Sequence, residues 1–560
     1  MLHLLNLLAL SLLLPTPSLA QTAPIDVREA TISSIHSSLF SGFTTCRDVV
    51  SAFIARIEHF NPDINAIITL NPDALSIADS LDQSLSQGNA TGPLFCIPIL
   101  LKDNYDALPM PSTGGCLALN ASKPTQDAPA VRAFRNAGAV ILGKSNLHEL
   151  ALEGLSVSSL GGQTINPYDF TRTPGGSSGG TGAAVAASFA VFGTGTDTVN
   201  SLRSPASANS LFSFRPTRGL ISRAGVIPIS YTQDTIGAIG RSLPDIATAL
   251  TVMASIGYDP ADNVTSAIPS SVLGTDYTTF VSPGRRANLT GMRIGVIEGF
   301  FNRASSNETT PVNEAMDHAI AVLQGLGASV IIINDTTTYN ATAISAQMDV
   351  QTSEYRELLT HYLSSDNLTG PHPLTMPALY SPNQTTPEFL VIPSQYSYVE
   401  TALVSSTGNA SYFLKQALIA NLTRSLQATI LSNQLTCLIY PEQKNLVVPI
   451  GSPSQSGRNG ILAALTGSPV ITVPIGFSPA SATAPIGIPI GMELLGLPWS
   501  EGTLLHVAKA LDDVLHARKM PVTAGLNATV ELTKAYTQVP RVVPLGAKNI
   551  DKAAYPLGVY

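Results

Sequence analysis

The chain has 560 residues, of which 44% are hydrophobic and only 12% charged, with a mean hydropathy of +0.22. That is richer in small apolar residues and poorer in charge than soluble proteins usually are, so a large buried core is required. A formal net charge of −8 without any Lys/Arg run gives no basic surface for neutralising phosphates, which excludes nucleic acid as an expected partner.

Residues 1–20, MLHLLNLLALSLLLPTPSLA, form a leucine run broken by Pro15 and Pro17 and ending in the small residues Ser18 and Ala20. This is the pattern of a secretory signal peptide cut after Ala20, and the run is too short to span a bilayer comfortably. Secretion is therefore expected. Two later uncharged stretches, 179–196 and 460–477, reach spanning length, but their Gly, Pro, Ser and Thr content marks them as buried core, so no membrane span is expected.

Thr45 opens a helix with Asp48 three residues on; Val49, Val50, Phe53, Ile54 and Ile57 share one face, and the pattern stops near Pro62. CIPILLKDN, from Cys96 to Asn104, reads as a buried strand with Lys102 at its end. Asp127 is expected to cap the helix APAVRAFRNAG, Gly138 to close it, and Ala139 to Leu142 to return as a strand. The theme recurs in MRIGVIEGF near Met292, a helix from Val312 to Leu326 and SVIIIN near Val330. It closes with PVITVPIGF from Pro469, IPIGMELLG from Ile488 and a helix from Glu501 to Ala517. Alternating strands and helices predict an α/β fold with a mainly parallel sheet flanked by helices. The stretch from about Thr336 to Thr423 is less regular and reads as a helical and loop insertion.

Twelve N-x-S/T sequons, at Asn89, Asn120, Asn263, Asn288, Asn307, Asn334, Asn340, Asn367, Asn383, Asn409, Asn421 and Asn527, crowd towards the centre and suggest a glycosylated exposed region in a secreted protein. Cys46, Cys96, Cys116 and Cys437 permit three pairings, among which sequence does not choose. Cys96 with Cys116 is the favoured guess, because strand neighbours flank the same loop. No cysteine pair has metal-ligand spacing, so no metal is expected.

Two motif matches fail on context. Gly138, Gly143, Lys144 and Ser145 fit G-x-x-x-x-G-K-S, but the residues between the glycines are Ala-Val-Ile-Leu. Those make a strand, where a phosphate cradle needs a loop. His148 and Glu149 lack the second histidine of HExxH, and Asp103 and Asp106 read as loop-arranging residues. The nine histidines show no Ser-His-Asp sequence context either, so an α/β-hydrolase reading is poor.

What remains is a constellation. Ser177 lies in GGSSGG, where flanking glycines leave its hydroxyl accessible. Ser178 leads into an Ala-rich helix whose N-terminus offers unpaired N–H groups. Ser201 follows 24 residues after Ser177, behind the turn TDTVN, where successive backbone N–H groups can converge on an oxyanion. A serine hydroxyl becomes a nucleophile only when a base removes its proton, and Lys102 among Ile and Leu would be kept uncharged by burial.

These residues, with GPLFCIPILLKDN at Gly92, GKSNLHELA at Gly143, GTDTVNSLR and LTGSPVITVPIGF, resemble the amidase signature family over most of the chain after residue 20. The resemblance implies one amidase domain over 21–560: a large mixed β-sheet flanked by helices on both faces. Its signature core would span about 92–250, a variable glycosylated insertion about 260–430, and a C-terminal part of the same sheet about 431–520. It further implies that Lys102 is the catalytic base, that Ser177, after a cis peptide, is the relay, and that Ser201 forms the acyl-enzyme. The backbone N–H groups of Thr198, Val199, Asn200 and Ser201 would hold the oxyanion, with Ser178, Asp197 and Arg203 in support. The family usually places two glycines where this chain has Val199 and Asn200. The expected function is a secreted hydrolase of carbon–nitrogen bonds in small-molecule amides, needing no cofactor. The alternatives are an esterase of the same fold, a non-catalytic secreted binding glycoprotein and an amidotransferase subunit.

Overall fold

The computed structural model describes residues 25–282, 288–381, 393–532, 534–550 and 555. The expected signal peptide and the sequon at Asn383 lie outside these residues.

Eleven strands form one sheet. In chain order they are β1 (Ile67–Leu70), β2 (Pro98–Lys102), β3 (Val140–Ser145), β4 (Phe192–Asp197), β5 (Phe212–Arg215), β6 (Thr235–Gly240), β7 (Arg293–Ile297), β8 (Ser329–Ile333), β9 (Cys437–Pro441), β10 (Val470–Phe477) and β11 (Pro489–Leu495). Across the sheet the order is β1-β3-β2-β4-β6-β5-β10-β11-β9-β7-β8. Every residue of β2, β3 and β4 is buried, which requires cover on both faces and accounts for sequences that are apolar or small apart from Lys102, Lys144 and Asp197. Helices Cys46–Ile64, Ala74–Ser86 and Gly179–Ala186 supply part of that cover, while Leu243–Ala254, Thr310–Gly325 and Glu501–Leu515 lie against strands further across the sheet.

The expectation of a mainly parallel sheet gives way to a mixed one. β2 runs parallel to β3 and β4, and β7 parallel to β8 and β9. The six strands from β4 to β9 across the middle pair antiparallel throughout. The reason lies in connections such as that from β10 to β11, which contains no helix and so returns the chain alongside itself in the opposite direction.

Three local expectations also change. Asp127 does not cap its helix: Ala128 holds that position before Pro129, whose missing N–H needs no partner. Its carboxylate instead accepts from Leu108 N at 2.7 Å and Arg135 Nε at 2.8 Å. The span 260–430 is not wholly outside the sheet, since β7 and β8 lie within it. Beyond β8 it is mainly helical, in Ala341–Met348, Gln351–Leu363, Pro393–Val404 and Ala410–Ser432. Finally, Cys96 pairs with Cys46, not Cys116, at a Cα–Cα distance of 5.6 Å. Cys96 precedes β2 and packs in the same apolar cluster as Cys46, the first residue of helix Cys46–Ile64. Cys116 follows the loop at the other end of β2 and packs in a separate cluster with Leu150 and Tyr355. Cys116 and Cys437 are buried free thiols.

Candidate active site

Lys102 is the last residue of β2, wholly buried between β3 and β4. Its Nζ lies 2.7 Å from Ser177 Oγ and donates to Thr196 Oγ1 at 2.7 Å. Among the described residues no carboxylate forms an ion pair with it. Burial therefore pulls its pKa down to about 7, against a smaller opposing pull from Asp197 and Asp234. Asn104 Nδ2 also donates to Thr196 Oγ1, at 3.2 Å, which fixes that hydroxyl oxygen beside the amine.

Ser177 follows a cis peptide bond from Gly176 and is completely buried. The glycines around it are demanded by contact: a Cβ at Gly180 would lie 2.1 Å from Asn146 O, and Gly175 has a φ of +69°. His148 N–H donates to Ser177 O at 3.0 Å, and Ser178 N–H donates to Ser201 O at 3.3 Å. The second bond ties the GGSSGG segment directly to the turn that carries Ser201. Ser178 stands before the buried helix Gly179–Ala186.

β4 ends at Asp197, and the chain then turns through Thr198, Val199, Asn200 and Ser201 into helix Arg203–Ala208. Among the described residues, none of the four turn N–H groups is taken by a backbone or side-chain acceptor, while Asn200 O accepts from Arg203 N at 3.0 Å and Ser204 N at 2.8 Å. Neither Val199 nor Asn200 has a positive φ, so this turn does not require glycine at those positions. Ser201 is 7% exposed and opens on a cavity of about 270 Å³ with polar walls that include Glu153, Lys415 and Arg458. Thr198 also borders a second cavity of about 380 Å³ with more apolar walls, among them Ile227, Ile229 and Tyr231.

Behind the turn, Asp197 is clamped by two guanidiniums. Arg203 Nε donates to its Oδ2 at 3.0 Å and Arg215 Nη1 to its Oδ1 at 2.7 Å, while Leu202 N–H adds a bond of 3.0 Å. Burial pushes the Asp197 pKa up, but Arg203 and Arg215 override it and hold the group at about 2. Arg203 Nη1 reaches Glu493 at 2.8 Å, and Arg203 Nη2 donates to Val199 O. Asp197 and Arg203 are thus part of a network whose other members, Arg215 and Glu493, were not singled out in the sequence. Thr196 was missed too, although its place on β4 one residue before Asp197 is a signal that could have been used. Asp234, whose carboxylate accepts from Thr198 Oγ1 at 2.6 Å, offered no such signal.

The remaining suspects are structural. Asp103 accepts from Thr113 and faces Lys144 at 3.6 Å; Asp106 accepts from Tyr362 at 2.7 Å. Gly143, Lys144 and Ser145 lie in β3, and Glu149 accepts from Ser159 N at 2.7 Å.

This geometry offers a buried amine of lowered pKa, two hydroxyls and a row of free N–H groups, a set suited to acyl transfer. The amidase family model matches residues 48–505. A chloroplastic/mitochondrial glutamyl-tRNA(Gln) amidotransferase subunit of Zea mays is 30% identical over 536 residues, covering 90% of this chain and 94% of its own length. The native peptide amidase from Stenotrophomonas maltophilia superposes with a TM-score of 0.76 at 32% identity, over 88% of this chain and 98% of that one. An amidase family protein from Bacillus anthracis gives 0.74 at 25% identity, over 88% and 92%. The large mixed sheet flanked by helices is the fold of these structures, and the chain belongs to the amidase family, as a hydrolase acting on carbon–nitrogen amide bonds.

Proposed function

We propose that the protein is a secreted amide hydrolase that works through a Lys102–Ser177–Ser201 relay and an acyl-enzyme. The observation that carries this reading is the 2.7 Å approach of Lys102 Nζ to Ser177 Oγ in a fully buried site without a counter-ion. An uncharged amine has one lone pair; while its N–H donates to Thr196 Oγ1, the lone pair takes the Ser177 proton. Ser177 Oγ takes the proton of Ser201, whose Oγ bonds to the substrate carbonyl carbon. The oxygen, now negative, is held by the free N–H groups of the 198–201 turn. The relay then returns a proton to the amide nitrogen as the C–N bond breaks, and water releases the acyl group by the reverse route. Ser178, through Ser201 O, and Asp197 with Arg203, through the turn, are positioning residues.

The two cavities that meet at Thr198 support a substrate with an apolar portion on one side and a polar portion beside Ser201. A peptide amide has both, and the likeness to a peptide amidase supports that class. Likeness to an amidotransferase subunit favours a second reading, as part of such a complex. Against it stand the acidic balance and three features that favour secretion. The first is the signal-like residues 1–20. The second is the Cys46–Cys96 disulfide, at home in an oxidising compartment. The third is the placement of the sequons: all eleven described sequon asparagines are exposed, while the buried Asn61, Asn65, Asn71, Asn104, Asn146, Asn166, Asn200, Asn209 and Asn459 carry none.

The decisive experiment labels the purified protein with a fluorophosphonate and maps the adduct, alongside Ser201→Ala assayed on matched peptide amides and esters. An adduct on Ser201, an inactive variant and turnover of amides support the reading. Full turnover by Ser201→Ala refutes the nucleophile, and ester-only turnover makes the protein an esterase. Secretion is tested by expression in a eukaryotic secretory host, where the expected product appears in the medium and shortens on endoglycosidase treatment.

A further inference from the structure

Val199 and Asn200 leave a question that the relay does not answer: what holds a turn whose residues carry side chains. Glu442 directly follows β9, and its backbone is fixed on both sides, its N–H donating to Gly491 O at 3.1 Å and its carbonyl accepting from Asn459 N at 3.0 Å. Its Oε1 accepts from Asn200 Nδ2 at 3.1 Å, with both side chains almost wholly buried. From the other side the turn rests on Gly460, where a Cβ would lie 2.3 Å from Val199 O and 2.5 Å from Asn200 Cβ. Arg203 Nη2 joins the two by donating to both Val199 O and Gly460 O. The turn is therefore seated on Gly460 and tied to Glu442.

We propose that Glu442 is a positioning residue for the oxyanion-binding turn, that it acts through Asn200, and that it does so in its protonated, uncharged form. The proposal rests on the Ser201 reading above. The charges facing Glu442 are Glu493 on β11, Arg203 on helix Arg203–Ala208 and Asp197 at the end of β4, with Arg215 of β5 on the far side of Asp197. Two guanidiniums and two carboxylates cancel, and no cation is left for a third carboxylate. Among the described residues Glu442 Oε2 has no hydrogen-bond partner; ionised, it would be an unpaired buried charge. Burial first, and then Glu493, push this carboxyl up to about 8. Loss of its proton places a negative charge behind the very turn where the substrate oxygen turns negative, which opposes the transition state. Turnover should accordingly fall on the alkaline side.

The test is the pH dependence of kcat and KM from about pH 6 to about pH 10 for the full-length enzyme and for Glu442→Gln, Glu442→Ala, Asn200→Gly and Asn200→Gly/Glu442→Ala. Gln still accepts from Asn200 but does not ionise, so Glu442→Gln is expected to lose the alkaline limb. Glu442→Ala is expected to lower kcat about tenfold with KM changed less than about twofold, and to lose that effect in the Asn200→Gly background. An alkaline limb that survives Glu442→Gln overturns the proposal. So does an equal loss of kcat from Glu442→Ala in both backgrounds, and this comparison decides the matter should Glu442→Gln fail to fold. Ser201→Ala is assayed in parallel: its activity would overturn the nucleophile reading itself, whereas its inactivity with a surviving alkaline limb overturns only the role of Glu442.

Discussion

Two buried clusters meet at the turn before Ser201, and they handle charge in opposite ways. On the relay side, Lys102 has, among the described residues, only hydroxyl partners and no carboxylate, and its pKa falls to about 7. On the bracing side, Asp197, Arg203, Arg215 and Glu493 are equally buried but paired, and Asp197 is held ionised at about 2. Burial alone thus does not set the charge of a group; what it faces does. Lys144 shows what a different set of partners offers a lysine. It is as buried as Lys102, yet it faces Asp103 at 3.6 Å and donates to two carbonyls, Tyr105 O at 2.6 Å and Pro111 O at 3.0 Å. Burial lowers the Lys144 pKa as well, against the pull of Asp103 and Asp106, but none of its partners is suited to passing a proton onward.

The comparison can be broken most directly by removing one member of each cluster. Lys102→Met is expected to lower kcat about 10⁴-fold while costing less than about 1.5 kcal/mol of unfolding free energy, because an uncharged amine is exchanged for an apolar chain of similar volume. Asp197→Asn is expected to cost about 3–5 kcal/mol, since two buried guanidiniums lose their shared partner. Kinetics and urea unfolding on the same preparations check both. Equal destabilisation by the two substitutions would erase the distinction drawn here.

A subtler change gives the relay the counter-ion it lacks. Thr196→Asp sets a carboxylate beside Nζ, which favours the ammonium and raises the Lys102 pKa. The acid limb of kcat/KM should move up by about one unit or more, with activity at pH 7 falling about tenfold. Thr196→Val works in the other direction, because a hydrogen-bond acceptor for the charged form is lost, and the acid limb should move down by about half a unit. An acid limb that stays fixed in both variants would mean that it reports some group other than Lys102.

Much of the proposed relay was legible in the sequence because each part lies in a short segment whose neighbours state its environment: apolar residues around Lys102, glycines around Ser177, and a polar turn before Ser201. The strands were legible for the same reason, down to β3, whose apolar residues ruled out a phosphate loop between Gly138 and Gly143. Of the bracing cluster, only Asp197 and Arg203 were. Arg203 and Glu493 are 290 residues apart, and Asn200 and Glu442 are 242 apart, so nothing local marks them as partners. The Cys46–Cys96 pair was misjudged because proximity along the chain was used where the direction of β2 decides. The antiparallel middle of the sheet was hidden because strand order is a property of packing rather than of any one segment. The glycine question at Val199 and Asn200 was resolved by backbone angles that residue identities do not specify.

The central claim is that Lys102 is uncharged when it works. The most direct measurement is the rate of Ser201 labelling by a fluorophosphonate as a function of pH between about 5 and 9, since labelling requires the relay but no leaving amine. The rate is expected to rise through a half-point near pH 7, set by the lowered Lys102 pKa, and to disappear in Lys102→Met. A rate that is flat across that range, or one that persists in Lys102→Met, would contradict it.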